Sequence, residues 1–91
     1  MKYFFVKWLH AFDEEPIIIY SELDNDRYET RKVEIFRNGT KGFADALETF
    51  GSTQLGVVPV PDIEDIANDP EFLPEEITKE AFERVWQGRY Q

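Results

Sequence analysis

Ninety-one residues suffice for one domain and one core, spanning 1–91, and 42% hydrophobic residues, with eight Phe, four Tyr and two Trp, can fill that core. The absence of cysteine excludes disulfides and thiolate metal sites, and no apolar run approaches the ~18 residues of a membrane span. A formal charge of −9, from 19 acids against 10 bases, opposes binding to nucleic acid or an anionic membrane and favours basic partners.

The start of the chain, Met1 to His10, has the apolar look of an export signal. Lys7 and His10 interrupt it, Asp13-Glu14-Glu15 close it, and no small-residue cleavage site follows, so a cytoplasmic location is expected. Within Lys2–Phe12 the alternate residues Phe4, Val6, Trp8, His10 and Phe12 form one row, the period-two signature of a strand. After Pro16, the β-branched run Ile17–Glu22 predicts a second strand, and Asp24-Asn25-Asp26 supplies turn residues. Arg27–Arg37 reads as a third strand. Asn38-Gly39 predicts a type I′ hairpin turn, which needs positive φ at both central residues, and a fourth strand follows over Thr40–Ala44. Thr53–Gly56 is either a short fifth strand or a loop.

Val57-Val58-Pro59-Val60-Pro61 is a stiff connector. Asp62 can cap a short helix carrying Ile63, Ile66 and Ala67, which Pro70 stops. Thr78 is a good cap for a last helix, with Ile77 stapled onto Phe82 and with Ala81, Phe82, Val85 and Trp86 on one stripe. Gly88 fits its end. The fold expected is α+β: a four-stranded antiparallel meander within residues 2–56, and a helical segment over 62–88 whose two C-terminal helices pack on one face.

No catalytic constellation emerges. His10 is the only histidine, has no paired nucleophile or acid, and sits in an apolar row, so a hydrogen-bonded structural histidine is expected. Ser21 and Ser52 lack a nucleophile-elbow context. Counted from Asp24, a calcium loop would need Gly and an acid where Glu29 and Ile35 stand, so no calcium site is expected. Arg27, Arg31, Lys32 and Arg37 alternate with Glu29 and Glu34, a pattern of cross-strand ion pairs on a solvated face. No cofactor, metal or catalytic residue is expected, and an enzyme is the least favoured class.

One tract has a functional slant. Between Asp62 and Glu80 eight acids face the single base Lys79, so these nineteen residues carry −7 of the total −9. Asp62, Glu64, Asp65, Asp69, Glu71, Glu75 and Glu76, with Phe72 as an apolar anchor, are the candidate partner-binding residues, because carboxylates on a short rigid scaffold can cap a basic surface. The competing reading is a solubilising surface with helix N-terminal acids.

The run Val6-Lys7-Trp8-Leu9-His10, then Tyr20-Ser21-Glu22, Asp26-Arg27-Tyr28-Glu29-Thr30-Arg31-Lys32-Val33-Glu34-Ile35-Phe36, Asn38-Gly39, Leu55-Gly56, Pro61-Asp62-Ile63-Glu64-Asp65-Ile66 and Asp69-Pro70-Glu71-Phe72 resembles a family of small acidic bacterial proteins of unknown function. The resemblance runs colinearly over nearly the whole chain and implies neither an activity nor site residues. Where relatives read Gly-Gly-Thr before the Leu-Gly pair, this chain has Gly51-Ser52-Thr53-Gln54. The leading functional expectation is a cytoplasmic binding protein, an immunity-type or phage-type inhibitor of a basic protein. The alternative is a structural interaction module forming a homodimer or larger homo-oligomer through spare sheet aromatics.

Overall fold

The computed structural model describes residues 1–90. Alternating residues build four consecutive antiparallel strands: β1 (Lys2–Trp8), β2 (Ile18–Leu23), β3 (Glu29–Ile35) and β4 (Lys41–Asp45). Two further strands extend the expected meander at both edges, giving a six-stranded sheet in the order β5-β4-β3-β2-β1-β6. On one edge, β5 (Thr49–Phe50) folds back on β4 through a turn closed by Asp45, whose carboxylate accepts the N–H groups of Leu47 and Glu48 at 2.8 and 2.9 Å. Those two bonds hold the Asp45 carboxyl below its usual range. Thr53–Gly56 is a loop.

On the other edge lies β6 (Phe72–Ile77), antiparallel to β1, where a helical segment was expected. Pro74 explains the correction. A helix through residues 70–77 would lose the Pro74 donor and set its ring against the carbonyl of Pro70. The strand also serves β1, whose Leu9 N–H reaches Glu71 O at 2.7 Å while the Trp8 N–H turns to Ile17 O. By that alternation the backbone groups of Leu73, Glu75 and Ile77 face β1, and those of Phe72, Pro74 and Glu76 face outward. Proline stands where its missing N–H costs no sheet bond.

The short helix α1 (Ile63–Ala67) follows Asp62 as expected, but the Asp62 side chain makes no capping bond. Helix α2 (Lys79–Gln87) is capped by the Thr78 hydroxyl, which accepts the Ala81 N–H at 3.1 Å. Its Phe82 and Trp86 bury against Tyr3, Val33 and Phe43, with Ile77, Tyr20 and Val85 packed alongside. Register places Tyr3, Phe5, Tyr20, Val33 and Phe43 on this face, and Phe4, Val6, Ile19, Ser21 and Lys32 on the other. Among the described residues, α2 and the Arg89–Tyr90 segment after it cover the first face, Arg89 and Tyr90 each lying 5.1 Å from the Phe43 ring centre; α1 and the connector lie over the second. The two helices therefore flank the sheet rather than share a face, because β6 carries the chain across its edge between them. Among the described residues no helix is long and apolar enough to cross a membrane.

The Asn38-Gly39 hairpin forms with a different turn. The Gly39 N–H bonds Phe36 O at 2.9 Å, so Arg37 and Asn38 are the central residues, and only Gly39 (φ 88°) is left-handed. This is a turn followed by a glycine bulge, not type I′. Asn38 spends its carbonyl on the Thr40 N–H and hydroxyl instead.

Candidate functional site

The second face of the sheet is only partly roofed, and an open pocket of ≈420 Å³ remains between it, the connector and α1. Val6 and Ile19, paired across β1 and β2, form its apolar floor. Phe72 from β6 and Ile66 from α1 wall it, Val60 and Pro61 close one side, and Asp65 and Asp69 stand at its acidic margin.

Its polar end is Ser21, Glu29 and Lys32. Strict alternation would put Glu29 with Arg31 and Val33 beneath α2. A bulge opposite Glu22 and Leu23 moves the pairing from Arg31 to Glu29, skipping Thr30, so that Glu29 turns to the pocket face. There its carboxylate accepts the Ser21 hydroxyl at 3.0 Å, the Lys32 ammonium at 3.2 Å and the Gly56 N–H at 2.6 Å. Lys32 also reaches Gln54 O at 3.4 Å. This knot ties the 51–56 loop to the sheet and neutralises Glu29 locally.

Arg27 fixes the connector. Its Nε and Nη2 donate to Val60 O and Pro61 O at 2.7 and 2.6 Å, its carbonyl accepts the Val60 N–H at 2.8 Å, and its guanidinium lies 5.3 Å from the Phe4 ring centre. Its φ of 70° is left-handed, an unfavourable conformation for a residue with a Cβ that these bonds maintain.

The acidic tract is distributed rather than gathered. Asp65, Asp69 and Phe72 meet at the pocket. Asp62 lies 3.6 Å from Arg27 Nε, and Glu64 is exposed in the first turn of α1. Asp69 also accepts the Glu71 N–H at 2.9 Å, and Glu71 accepts the Trp8 indole N–H at 3.4 Å. Glu75 and Glu76, adjacent on a strand, point to opposite faces: Glu75 stands opposite Phe5, and Glu76 opposite Phe4 with Lys2 at 3.7 Å.

The basic strand is also less solvated than expected. Lys32 pairs with Glu29 on its own strand, with side chains 16% and 7% exposed, and Arg31 binds Glu22 and Glu83 beneath α2. Arg37 donates to His10 O at 2.6 Å, and Glu34 accepts the Thr53 hydroxyl at 2.7 Å.

His10 closes the loop after β1. Its Nδ1 accepts the Phe12 N–H at 2.9 Å, which leaves Nε2–H to donate to Pro16 O at 2.7 Å. It also meets Trp8 edge-on at 4.5 Å and stacks on Phe12 at 5.7 Å between ring centres, and Trp8 stacks on Phe72 at 5.6 Å. Asp24 is a turn residue as its context suggests, accepting the N–H groups of Asp26 and Tyr28. Among the described residues no group of three or more His, Asp or Glu side chains is placed to hold a metal.

Ser21, Glu29 and Lys32 were not legible as one cluster. Ser21 was the only hint, a polar residue in an apolar run. No curated protein and no solved structure matches the chain. Residues 2–91 match the profile of a family described as Domain of unknown function (DUF6881), and the chain belongs to that family.

Proposed function

We propose that this chain is a binding protein for a basic protein partner, an inhibitor of immunity or phage type, and that the partner docks over the pocket on the second sheet face. The observation that carries this reading is the convergence of Asp65 and Asp69 with the apolar residues Val6, Ile19, Ile66 and Phe72 in one open pocket. Apolar surface ringed by carboxylates suits a cationic, amphipathic segment, with the charges guiding encounter and the apolar contacts slowing escape. Lys32 does not reverse that polarity, because Glu29 neutralises it. The cysteine-free composition suits a reducing compartment, and we place the encounter in the cytoplasm.

Homo-oligomerisation through spare sheet aromatics has weaker support, since of the exposed rings Phe12, Tyr28, Phe50 and Tyr90 only Phe50 lies in a strand, and the sheet edges add little. β5 offers two residues, and on β6 the outward Phe72 N–H is taken by Asp69 O while Pro74 has none to give. Such edges resist pairing with another strand. A binding role is also preferred to an enzymatic one, since the Ser21–Glu29–Lys32 cluster is spent on tying a loop to the sheet.

The test is affinity capture from the native host, followed by association kinetics of the captured protein with wild type and an Asp65→Asn/Asp69→Asn variant. A basic partner whose association slows with added salt, and which the variant binds more weakly, is expected. Equal binding by both proteins would remove the pocket from the interface.

A further inference from the structure

The pocket combines apolar walls with a small amount of unspent negative charge. Its floor is aliphatic at Val6 and Ile19, and one wall is the ring of Phe72, backed by Trp8. Glu29 is already engaged by Ser21, Lys32 and the Gly56 N–H. The charge left to a ligand is therefore that of Asp65, from α1, and Asp69, from the turn after it. Those two carboxylates come from different segments and border the same open pocket of ≈420 Å³.

We infer that the pocket receives an arginine side chain of the partner, an inference that rests on the function proposed above. The aliphatic stem lies on Val6 and Ile19, and the guanidinium sits between the Phe72 ring and the carboxylates of Asp65 and Asp69. Three properties favour arginine over lysine. A flat cation stacks on an aromatic face, whereas an ammonium is a compact point charge. Five N–H donors in one plane can serve carboxylates on two segments together. The guanidinium is also less strongly hydrated, so leaving water for a half-apolar pocket costs it less. The pairing of Arg27 with the Phe4 ring and the Arg31 guanidinium over Phe82 are intramolecular examples of the same recognition in this chain.

Capped Gly-Xaa-Gly peptides with arginine, lysine, citrulline or norleucine at the centre provide the test, titrated into the isotope-labelled full chain and followed by amide shifts. The arginine peptide is expected to shift Val6, Ile19, Ile66 and Phe72 amides and to bind roughly fivefold more tightly than the lysine peptide. Citrulline keeps the shape without the charge, norleucine keeps only the stem, and both should bind more weakly. Phe72→Leu, which retains an apolar wall, should bring arginine down to the level of lysine, and Asp65→Asn/Asp69→Asn should abolish the advantage of arginine over citrulline. Equal affinities for arginine and lysine would overturn the arginine assignment while leaving a basic partner at this face intact. Shifts confined to other surfaces, norleucine binding as tightly as arginine, or no shifts with any peptide would overturn it also. Partner kinetics with the Asp65/Asp69 variant decide the underlying reading separately.

Discussion

Glu22 on β2 and Arg31 on β3 face each other beneath α2 in a two-pronged ion pair, Nε to Oε1 at 2.8 Å and Nη2 to Oε2 at 2.6 Å. Arg31 also binds Glu83 of α2, and its guanidinium lies 5.0 and 5.2 Å from the Phe82 and Trp86 rings. The Thr30 hydroxyl donates to Glu22 Oε1 at 2.8 Å. One cation thus joins the sheet to the helix, and burial together with the Glu22 charge pushes the neighbouring Tyr3 hydroxyl upward in pKa.

Acid should loosen this junction. Hydrogen bonds from Arg31 hold the carboxyls of Glu22 and Glu83 below their usual range. Near the unfolded glutamate value of ~4.3 both carry fewer protons in the folded state than in the unfolded one. Their stabilising contribution is complete above that value and disappears as pH falls through the lower folded values. Tm followed by circular dichroism should hold above about pH 5 and drop below about pH 4. Glu22→Gln should lower the neutral plateau, by about 3–5 kcal/mol if the pair is broken outright, and make the acid fall shallower. An acid limb as steep in the variant as in wild type would show that the pair does not govern it.

Trp86 should be among the costliest residues to truncate. It is 8% exposed, stacks at 6.4 Å from Phe82, which is fully buried, and meets Phe43 edge-on at 5.9 Å. Trp86→Ala should cost ~3–5 kcal/mol. At about 4–8 °C per kcal/mol for a domain of this size, Tm should fall by more than ~10 °C. A Tm within a few degrees of wild type would mean that α2 is not docked as described.

Where residue pattern and local chemistry agreed, the sequence could be read. The four strands β1–β4, the Thr78 cap and the Phe82–Trp86 stripe stand in the structure, but β1 ends at Trp8, so His10 and Phe12 of the expected row fall in the loop that follows. β6 was hidden because its acids and its position between two helical segments resemble a solvated helix; Pro74 was the available counter-signal. The pocket was hidden for another reason. Bulges break alternation without a sequence mark, so Glu29, expected in cross-strand ion pairs on a solvated face, is placed by the skipped Thr30 beside Ser21 and Lys32 instead. Charge density, likewise, says how many acids a tract holds but not which face of an edge strand each takes, and Glu75 and Glu76 diverge for that reason.

Gly42 is required by its neighbour rather than by its own φ. A Cβ there would stand 2.1 Å from Thr53 Oγ1 and 3.1 Å from Thr53 Cβ. Thr53 is 1% exposed and held by Glu34, so it cannot step aside without breaking that bond. Gly42→Ala should cost ~1–3 kcal/mol, as overpacking does. Adding Thr53→Ala removes the worse contact but not the Cβ–Cβ one, so chemical denaturation of the double variant should show partial rescue and clear non-additivity. Simple addition of the two single effects would argue that the loop does not press on β4.

Arg27 should control the pocket wall more than the fold. Val57 and Val58 of the connector are 87% and 66% exposed, so the connector has little packing of its own, and the Arg27 bonds to Val60 and Pro61 hold it down. Arg27→Ala removes both side-chain bonds and keeps a Cβ in the left-handed conformation; Arg27→Gly removes the same bonds and relieves that strain. Both variants should therefore open the connector alike, while the glycine variant remains more stable overall by about 1 kcal/mol. Hydrogen exchange at the Val60 amide reports the opening directly, because that N–H is bonded to Arg27 O. Loss of charge-assisted bonds worth about 1.5 kcal/mol should speed its exchange roughly tenfold in either variant, with core amides such as Val33 changing less. Val60 exchange as slow as in wild type would mean that packing, not Arg27, holds the wall against the sheet.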